Sequence, residues 1–399
     1  MAELPDESEM TAEGLEALKV PAELVEHELA AKSPLRRTAE LGVSLAAVVA
    51  IFAFAIPAIS ETHYSEIWSQ FSQLDGRTIA GLTILWFLVM WTYTGVLVAA
   101  LPGLHRSQAL VLNFGGSAVS NVVPFGGAAG VGATYAMGMS WGFPPSAITR
   151  SILVTGVWNV FTKLGLPVAA LLLLVLDGQT TGGLVVPTLV GLAALAVGIA
   201  GFALVLRSDE LASRVGAIVD RAGSLVTRLV RRPQRDLRAA VVDFRHQSIG
   251  LLRACWKRLT VWMLVYTLGQ YLLLLACVRA CGGSTNELGW IEVLAAFTFA
   301  NLLTTIAITP SGVGFVEAGT VAALIAFGGP PAGSAAAVFL FRAFTYLLEI
   351  PLGAVGWALW AMKATWRRPV LSEQARRSSP TVAPACPPGG DPERLPRPE

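Results

Sequence analysis

The chain is poor in charged residues, which make up 14% of its 399 residues, whereas a soluble domain has about 25%. The scarcity is uneven, because residues 41–206 hold eight charged side chains and residues 260–362 hold six. The remaining charges lie at the two ends and in the middle of the chain, so the two apolar blocks lack the solvating groups of a globular surface. The composition therefore predicts an all-α, polytopic membrane helix bundle.

Features that several other classes of protein need are also missing. The four cysteines have no C-x-x-C spacing and the four histidines form no i, i+4 pair, so no metal site is predicted. The net charge is only +2, with no basic stripe in the apolar blocks, which argues against nucleic-acid binding. No G-x-x-x-x-G-K-[ST] loop for a nucleotide is present, and we expect no cofactor.

Apolar runs of about 20 residues are long enough to cross a bilayer. Eight such spans are predicted, at residues 41–60, 78–103, 148–176, 184–206, 260–278, 289–309, 313–328 and 336–362. Residues 107–142 differ, because they hold eight glycines on the two sides of Pro124, and each glycine would cost a lipid-facing helix about 1 kcal/mol. We expect two short helices here, which form a broken, re-entrant hairpin covered by other helices.

Basic residues lie just before residue 41, just after residue 362, and throughout residues 207–258, whose local net charge is +7. The positive-inside rule then places both termini and this segment in the cytoplasm, in a multi-pass protein of the cell (plasma or inner) membrane. Residues 207–258 either lie on anionic membrane lipids or only set the topology. The predicted regions are an acidic, mostly disordered tail at 1–40, a first transmembrane half at 41–206, a basic amphipathic segment at 207–259, a second half at 260–365 and a Pro-rich disordered tail at 366–399.

Charged residues inside the apolar blocks are candidates for a functional site, since an ion at the bilayer centre costs about 2.5–3.5 kcal/mol. Glu317 follows a proline–glycine break, and Arg342 offers a forked donor that suits a carboxylate or a phosphate. This pair either locks two helices together or faces a substrate. Lys163, in the middle of a span, is either a phosphate contact or a side chain that snorkels to the interface.

The two apolar blocks share a P-x-G pattern, at Pro124-Phe125-Gly126 and at Pro310-Ser311-Gly312. Interrupted helices in matching places mark the central site of many transporters, so the sequence leaves open a pseudo-repeat of two halves. Asn121 precedes the first break, where its amide either bonds between helices or joins the site. The predicted substrate-binding residues are Glu317, Arg342, Pro310, Gly312, Gly314, Pro124, Gly126, Gly127, Asn121 and Lys163, and no catalytic residue is predicted.

Residues 289–365 resemble the second half of the flippase-like transmembrane domain of lysylphosphatidylglycerol synthases and their stand-alone relatives. The pattern P-G-G-x-G-x-x-E, followed by one arginine among aromatic residues, reads here as Pro310 to Gly314, Glu317 and then Arg342, with Ser311 in place of the first glycine. Residues 107–142 resemble the first half more loosely and lack its Gly-Glu-x-x-Arg stretch. The resemblance implies lipid handling, whereas the short C-terminal tail leads us to expect no aminoacyl-transferase activity.

The leading hypothesis is thus a lipid translocase that moves a phospholipid or a polyprenyl-phosphate-type amphiphile between leaflets through a polar groove. Covalent chemistry is the less favoured activity. One alternative is a membrane-embedded glycosyl or lipid transferase with a polyprenyl-phosphate donor, although the predicted outer loops have no paired carboxylates. Another is a secondary transporter of small solutes. The oligomeric state is left open.

Overall fold

A computed structural model describes residues 63–122, 126–177, 200, 237–282, 288–304 and 313–363. Every regular element in these ranges is a helix, which confirms the all-α prediction. In chain order they are α1 (Tyr64–Ser72), α2 (Gly76–Ala100), α3 (Arg106–Val122), α4 (Gly126–Ser140), α5 (Pro145–Leu176), α6 (Leu237–Ala280), α7 (Trp290–Leu303), α8 (Phe315–Ala326), α9 (Pro331–Arg342), a π turn (Ala343–Leu347) and α10 (Glu349–Met362).

Four stretches of helix in the described residues are long and apolar enough to cross a membrane. They are Gly76–Ala100, Pro145–Leu176, Ala254–Ala280 and Pro331–Met362, and they overlap the spans predicted at 78–103, 148–176, 260–278 and 336–362. Large apolar side chains on these helices face outward and are exposed, among them Ile84, Leu172, Val261 and Val355. An apolar exterior of this kind suits lipid rather than water.

The structure differs from the sequence prediction at 289–309 and 313–328, where two full spans were expected. Helix α7 has 14 residues and α8 has 12, which at 1.5 Å per residue gives about 21 and 18 Å, less than the hydrocarbon thickness of about 30 Å. Helix α8 begins after Gly314, whose φ of 85° favours glycine. The two helices therefore form a second broken pair packed side by side.

The first broken pair matches its prediction. Helices α3 and α4 pack against each other within residues 107–142, and the break predicted at Pro124 lies at residues 123–125, outside the described residues. The span predicted at 41–60 also lies outside them, and within the span predicted at 184–206 only residue 200 is described. The total of eight spans therefore stays a prediction.

The helices repeat in order. Helix α2, the pair α3–α4 and the long α5 are followed by α6, the pair α7–α8 and the long stretch α9–α10. The last helix of each half has 32 residues and starts at the second proline of a G-x-P-P turn, at Pro145 and at Pro331. The P-x-G prolines, Pro124 and Pro310, precede these two starts by the same number of residues. These correspondences support a repeat of two halves.

The two halves run in opposite directions. Helices α2 and α6 pack together, with Val89 against Gly269 and Gly95 against Trp262, so residue numbers rise along one helix as they fall along the other. Each half also packs on the other: α3 of the first half lies against α10 of the second, and α7 of the second half lies against α5 of the first. Each short pair thus packs, through its first helix, on the last helix of the other half.

Candidate functional site

A cavity of about 350 Å³ lies where the two halves meet. Helices α3, α5, α6, α7, α8 and α9 and the π turn contribute to its wall, with Glu349 at the start of α10. Most of its side chains carry a polar group, which is unusual inside a bundle with so apolar an exterior. The polar lining residues are Asn113, Ser117, Asn159, Thr162, Lys163, Tyr266, Thr267, Gln270, Asn301, Thr304, Glu317, Thr320, Arg342, Thr345 and Glu349.

Glu317 lies in the first turn of α8 and is only 2% exposed. Its Oε2 atom accepts the backbone N–H of Gly314 at 2.6 Å, which satisfies one of the free amide groups at the helix start. Its Oε1 atom lies 2.5 Å from Nε of Arg342, in a salt bridge to the end of α9. Both carboxylate oxygens of Glu317 therefore have a partner within the protein.

Arg342 has hydrogen-bonding capacity left over. The guanidinium group uses Nε for Glu317 and lies over the ring of Tyr346, 5.1 Å from its centroid. Its Nη2 atom is buried and has no hydrogen-bond partner among the described residues. A buried donor without a partner is costly, and a guanidinium suits the oxygens of a phosphate or carboxylate. The wall of the cavity is thus able to bind an anion at Arg342.

A second buried carboxylate, Glu349, lies one element further along the chain and is 8% exposed. Ser117 and Asn121 of α3 are placed as hydrogen-bond donors to it, and the charge of Arg342 acts on it at longer range. The charge of Glu349 also acts on Tyr266 of α6, whose hydroxyl accepts a hydrogen bond from Nε2 of Gln270 at 3.0 Å. Glu349 therefore lies among neutral polar groups.

Lys163 of α5 lines the cavity, and its Nζ donates to Oγ1 of Thr304 at 2.7 Å. Thr304 is the residue at which α7 ends. An ammonium group has three donors, so the contact with Thr304 leaves others for a ligand. Lys163 and Glu349 also lie equally far along their helices from Pro145 and Pro331, so the two halves place a base and an acid at equivalent positions.

Asn121 connects the halves beside the cavity. Its backbone carbonyl accepts the hydroxyl of Tyr346 at 2.7 Å, and its Nδ2 donates to the Tyr346 carbonyl at 3.5 Å. The amide predicted to bond between helices thus does so, from α3 to the π turn. A π turn is rare and occurs frequently at functional sites.

The structure brings some of the predicted substrate-binding residues together but not all of them. Glu317, Arg342 and Lys163 line one cavity, and Asn121 and Gly314 contact residues of its wall. Gly126 and Gly127 begin α4, which is not among the helices of the wall. The remaining three predicted residues, Pro124, Pro310 and Gly312, lie outside the described residues.

Sequence reasoning did not predict twelve of the fifteen polar lining residues as substrate-binding, among them Asn113, Ser117, Tyr266, Gln270 and Glu349. A signal for them exists in the sequence. Polar residues recur four apart in otherwise apolar helices, at Asn113 and Ser117, at Asn159 and Lys163, and at Tyr266 and Gln270. Residues four apart share one face of a helix, so each of these helices has a narrow polar face.

The cavity contains two acidic and two basic side chains, Glu317, Glu349, Lys163 and Arg342. In the described residues, no group of three or more His, Cys, Asp or Glu side chains is placed to hold a metal ion. The site therefore offers fixed charges and hydrogen-bond donors to a ligand that bears its own charge.

Comparison with known proteins gives one result that agrees with this architecture. No curated protein sequence matches the chain. The family model described as the lysylphosphatidylglycerol synthase TM region matches residues 40–353. The matched range includes both broken pairs and each of the four charged residues of the cavity, and it extends over most of the chain. The protein therefore belongs to the family of the lysylphosphatidylglycerol synthase TM region.

Proposed function

We propose that this protein is a lipid translocase, in which an anionic headgroup enters the central cavity while the acyl chains stay in the surrounding lipid. Its family makes it an integral membrane protein of lipid metabolism or transport. Moving a bare phosphate through hydrocarbon costs tens of kcal/mol on idealised grounds. A polar passage through the bundle lowers that barrier without any covalent chemistry.

The observation on which the proposal depends is the buried Nη2 atom of Arg342, which has no hydrogen-bond partner in the part of the chain that the structure describes. Glu317 does not compete for this atom, because it binds Nε and the Gly314 amide. Lys163 adds a second donor to the same cavity. Two cationic donors that meet in one cavity suit the oxygens of a phosphate.

The opposed halves support movement across the membrane rather than binding alone. Transporters with inverted repeats bind substrate at the interface of the repeats and expose it to the two sides in turn. Here the cavity lies at such an interface, and each broken pair packs on the last helix of the other half. A shift of one half against the other would open the cavity to one leaflet and then to the other.

The test is lipid movement in liposomes that contain the purified protein and phosphatidylglycerol labelled on an acyl chain with a fluorophore. A quencher that cannot cross the membrane reports how fast the inner-leaflet lipid becomes accessible. The variant Arg342→Lys keeps the charge but removes the fork that contains Nη2. We expect it to slow lipid movement about tenfold or more, since a charge-assisted hydrogen bond contributes about 1.5–3 kcal/mol.

The matched control is Arg77→Lys, at an exposed position near the start of α2, which should move lipid at the wild-type rate. If wild-type protein leaves the labelled lipid in its original leaflet, the translocase proposal is rejected. Uptake of soluble radiolabelled solutes by the same liposomes, without lipid movement, would favour the small-solute alternative. Equal rates for Arg342→Lys and wild type would show that the headgroup does not bind the guanidinium group of Arg342.

A further inference from the structure

We infer that Glu349 binds a proton that is coupled to the movement of the anionic headgroup, an inference that rests on the proposed translocase function. The step is a simple proton exchange, in which one carboxylate oxygen of Glu349 binds a proton from one side and later releases it to the other. No other bond forms or breaks. The inference depends on how the two buried carboxylates of the cavity differ.

Both carboxylate oxygens of Glu317 are engaged in direct contacts. One of its oxygens accepts the Gly314 amide and the other lies in a salt bridge with Arg342. Hydrogen bonds and an adjacent positive charge both favour the charged form of a carboxyl group. These contacts leave neither oxygen of Glu317 without a partner.

Glu349, in contrast, forms no salt bridge within the described residues. Its neighbours Ser117 and Asn121 are neutral donors, and the guanidinium that acts on it is already bonded to Glu317. It is buried and lies in a helix long and apolar enough to cross the bilayer. An ionised carboxylate in that setting is unfavourable, and a buried acid usually responds by binding a proton.

The titratable and charged groups around Glu349 come from several elements. Helix α9 contributes Arg342, and α8 contributes Glu317. Helix α6 contributes the hydroxyl of Tyr266. The ring of Tyr266 packs on the ring of Tyr93 in α2. Lys163 of α5 lines the same cavity. The groups from α3 are neutral, so Glu349 is the acid whose protonation state is least fixed by a direct contact.

Protonation of Glu349 changes the net charge of the cavity in a useful direction. With all four charged side chains ionised, the two acids and two bases cancel. When Glu349 is protonated, Glu317, Arg342 and Lys163 leave one positive charge, which favours an anionic phosphate group. Release of the proton removes that charge and favours release of the anion. Proton and headgroup therefore assist each other's binding, and this coupling is reciprocal.

The first experiment does not depend on lipid transport. Infrared difference spectra of the full chain in detergent, recorded during a pH titration, report the carbonyl stretch of a protonated carboxyl group. We expect wild-type protein to show a band that disappears as the pH rises and that is missing from Glu349→Gln. The control Glu292→Gln removes another buried carboxyl group, in the first turn of α7 and outside the cavity wall, and should keep the band.

The infrared titration is carried out in KCl and then repeated in NaCl, to test whether Na⁺ competes with the proton. Coincident curves are expected for a proton site, whereas a curve that shifts with Na⁺ would make Glu349 a sodium ligand and overturn the inference. The lack of a band attributable to Glu349 at any pH would overturn it as well. Both outcomes hold whether or not the protein moves lipid.

The second experiment uses the liposomes with labelled phosphatidylglycerol under a gradient of one pH unit. In wild type, co-transport of one proton with each lipid drives accumulation on the alkaline side up to about tenfold, the concentration ratio equivalent to one pH unit. Glu349→Gln should lose this response, and Glu292→Gln should keep it. If wild-type protein moves lipid but the pH gradient does not affect its distribution, the proton inference is overturned and the translocase proposal stands. Absence of any movement would reject the translocase proposal, and the infrared band would then decide the proton site by itself.

Discussion

Glu317 holds Arg342 through one carboxylate oxygen, at 2.5 Å from Nε, while its other oxygen accepts the amide of Gly314 at 2.6 Å. The two partners of this ion pair therefore have different roles. Glu317 ties the start of α8 to the end of α9, and neither of its oxygens lacks a partner. Arg342 is oriented by this contact and keeps Nη2 for a ligand. The sequence left open whether the pair locks helices or faces a substrate; the geometry shows that it joins two helices, and the contact with a substrate stays a proposal.

The first prediction concerns the stability of this ion pair. Arg342→Gln leaves the buried carboxylate of Glu317 without its partner, which costs about 3–5 kcal/mol. Glu317→Gln leaves the partly buried guanidinium of Arg342 unpaired and should cost less, and the double substitution should recover most of either loss. The free energy of unfolding in detergent, followed by tryptophan fluorescence, measures all four proteins of the cycle.

The double variant also separates the two roles in transport. We expect it to fold and stay monodisperse but to fail in moving labelled lipid, since no guanidinium remains in the cavity. A folded double variant with wild-type lipid movement would show that the pair is structural only. Arg77→Gln, at an exposed position, controls for the loss of one positive charge.

The second prediction concerns Lys163 and its acceptor Thr304. If Nζ of Lys163 contacts the headgroup, Lys163→Gln should slow the movement of phosphatidylglycerol about tenfold or more. Thr304→Val removes the acceptor at 2.7 Å but keeps the ammonium group, and it should have a much smaller effect. Similar losses in the two variants would mean that Lys163 only joins α5 to the end of α7.

The third prediction concerns close packing at Gly353 of α10. A methyl group there would overlap the side chain of Ala118 and the carbonyl of Phe114 on α3, so Gly353→Ala should destabilise the protein by about 1–3 kcal/mol. Gly127 is the matched control, because nothing in the described residues lies within 4 Å of a methyl group added there. Gly127→Ala should be neutral or stabilising by up to about 1 kcal/mol. Equal effects on the free energy of unfolding would argue against the packing of α10 on α3.

The fourth prediction concerns orientation. The basic residues of 207–258 and those beside the first and last spans predict that both termini and residue 231 face the cytoplasm. Single cysteines introduced at these places and treated with a membrane-impermeant maleimide in intact cells should stay unlabelled and should react only after lysis. Labelling of the C-terminus from outside would contradict the count of eight spans.

Much of the fold follows from local pattern. The apolar stretch at 78–103 and the glycine cluster around Pro124 each predicted an element that the structure contains, as α2 and as the pair α3–α4. The length of an apolar run and its glycine content are properties of a single segment, so each can be predicted from that segment alone. The lengths of α7 and α8 escaped this reasoning, because the run from 289 to 328 is apolar on both sides of a short break.

The candidate site followed from sequence only in part. Glu317 and Arg342 were found because an ion in an apolar block is conspicuous, and the structure pairs them. Glu349 was visible on the polar face that includes Arg342, but nothing local showed that Ser117 and Asn121 would face it from α3. Gly127 was predicted to bind substrate and has open space beside it, whereas close approaches occur at Gly130 and at Gly353.

The sequence by itself therefore determined the class of protein, the helical content, the position of most helices and the ion pair, since these depend on composition and on neighbours along the chain. Tertiary structure alone decided that the halves are opposed, that α3 packs on α10 and α7 on α5, and that one cavity collects polar side chains from so many helices. The physical reason is that the face of a helix is set by its own residues, whereas the partner of that face is set by packing between segments far apart in the chain.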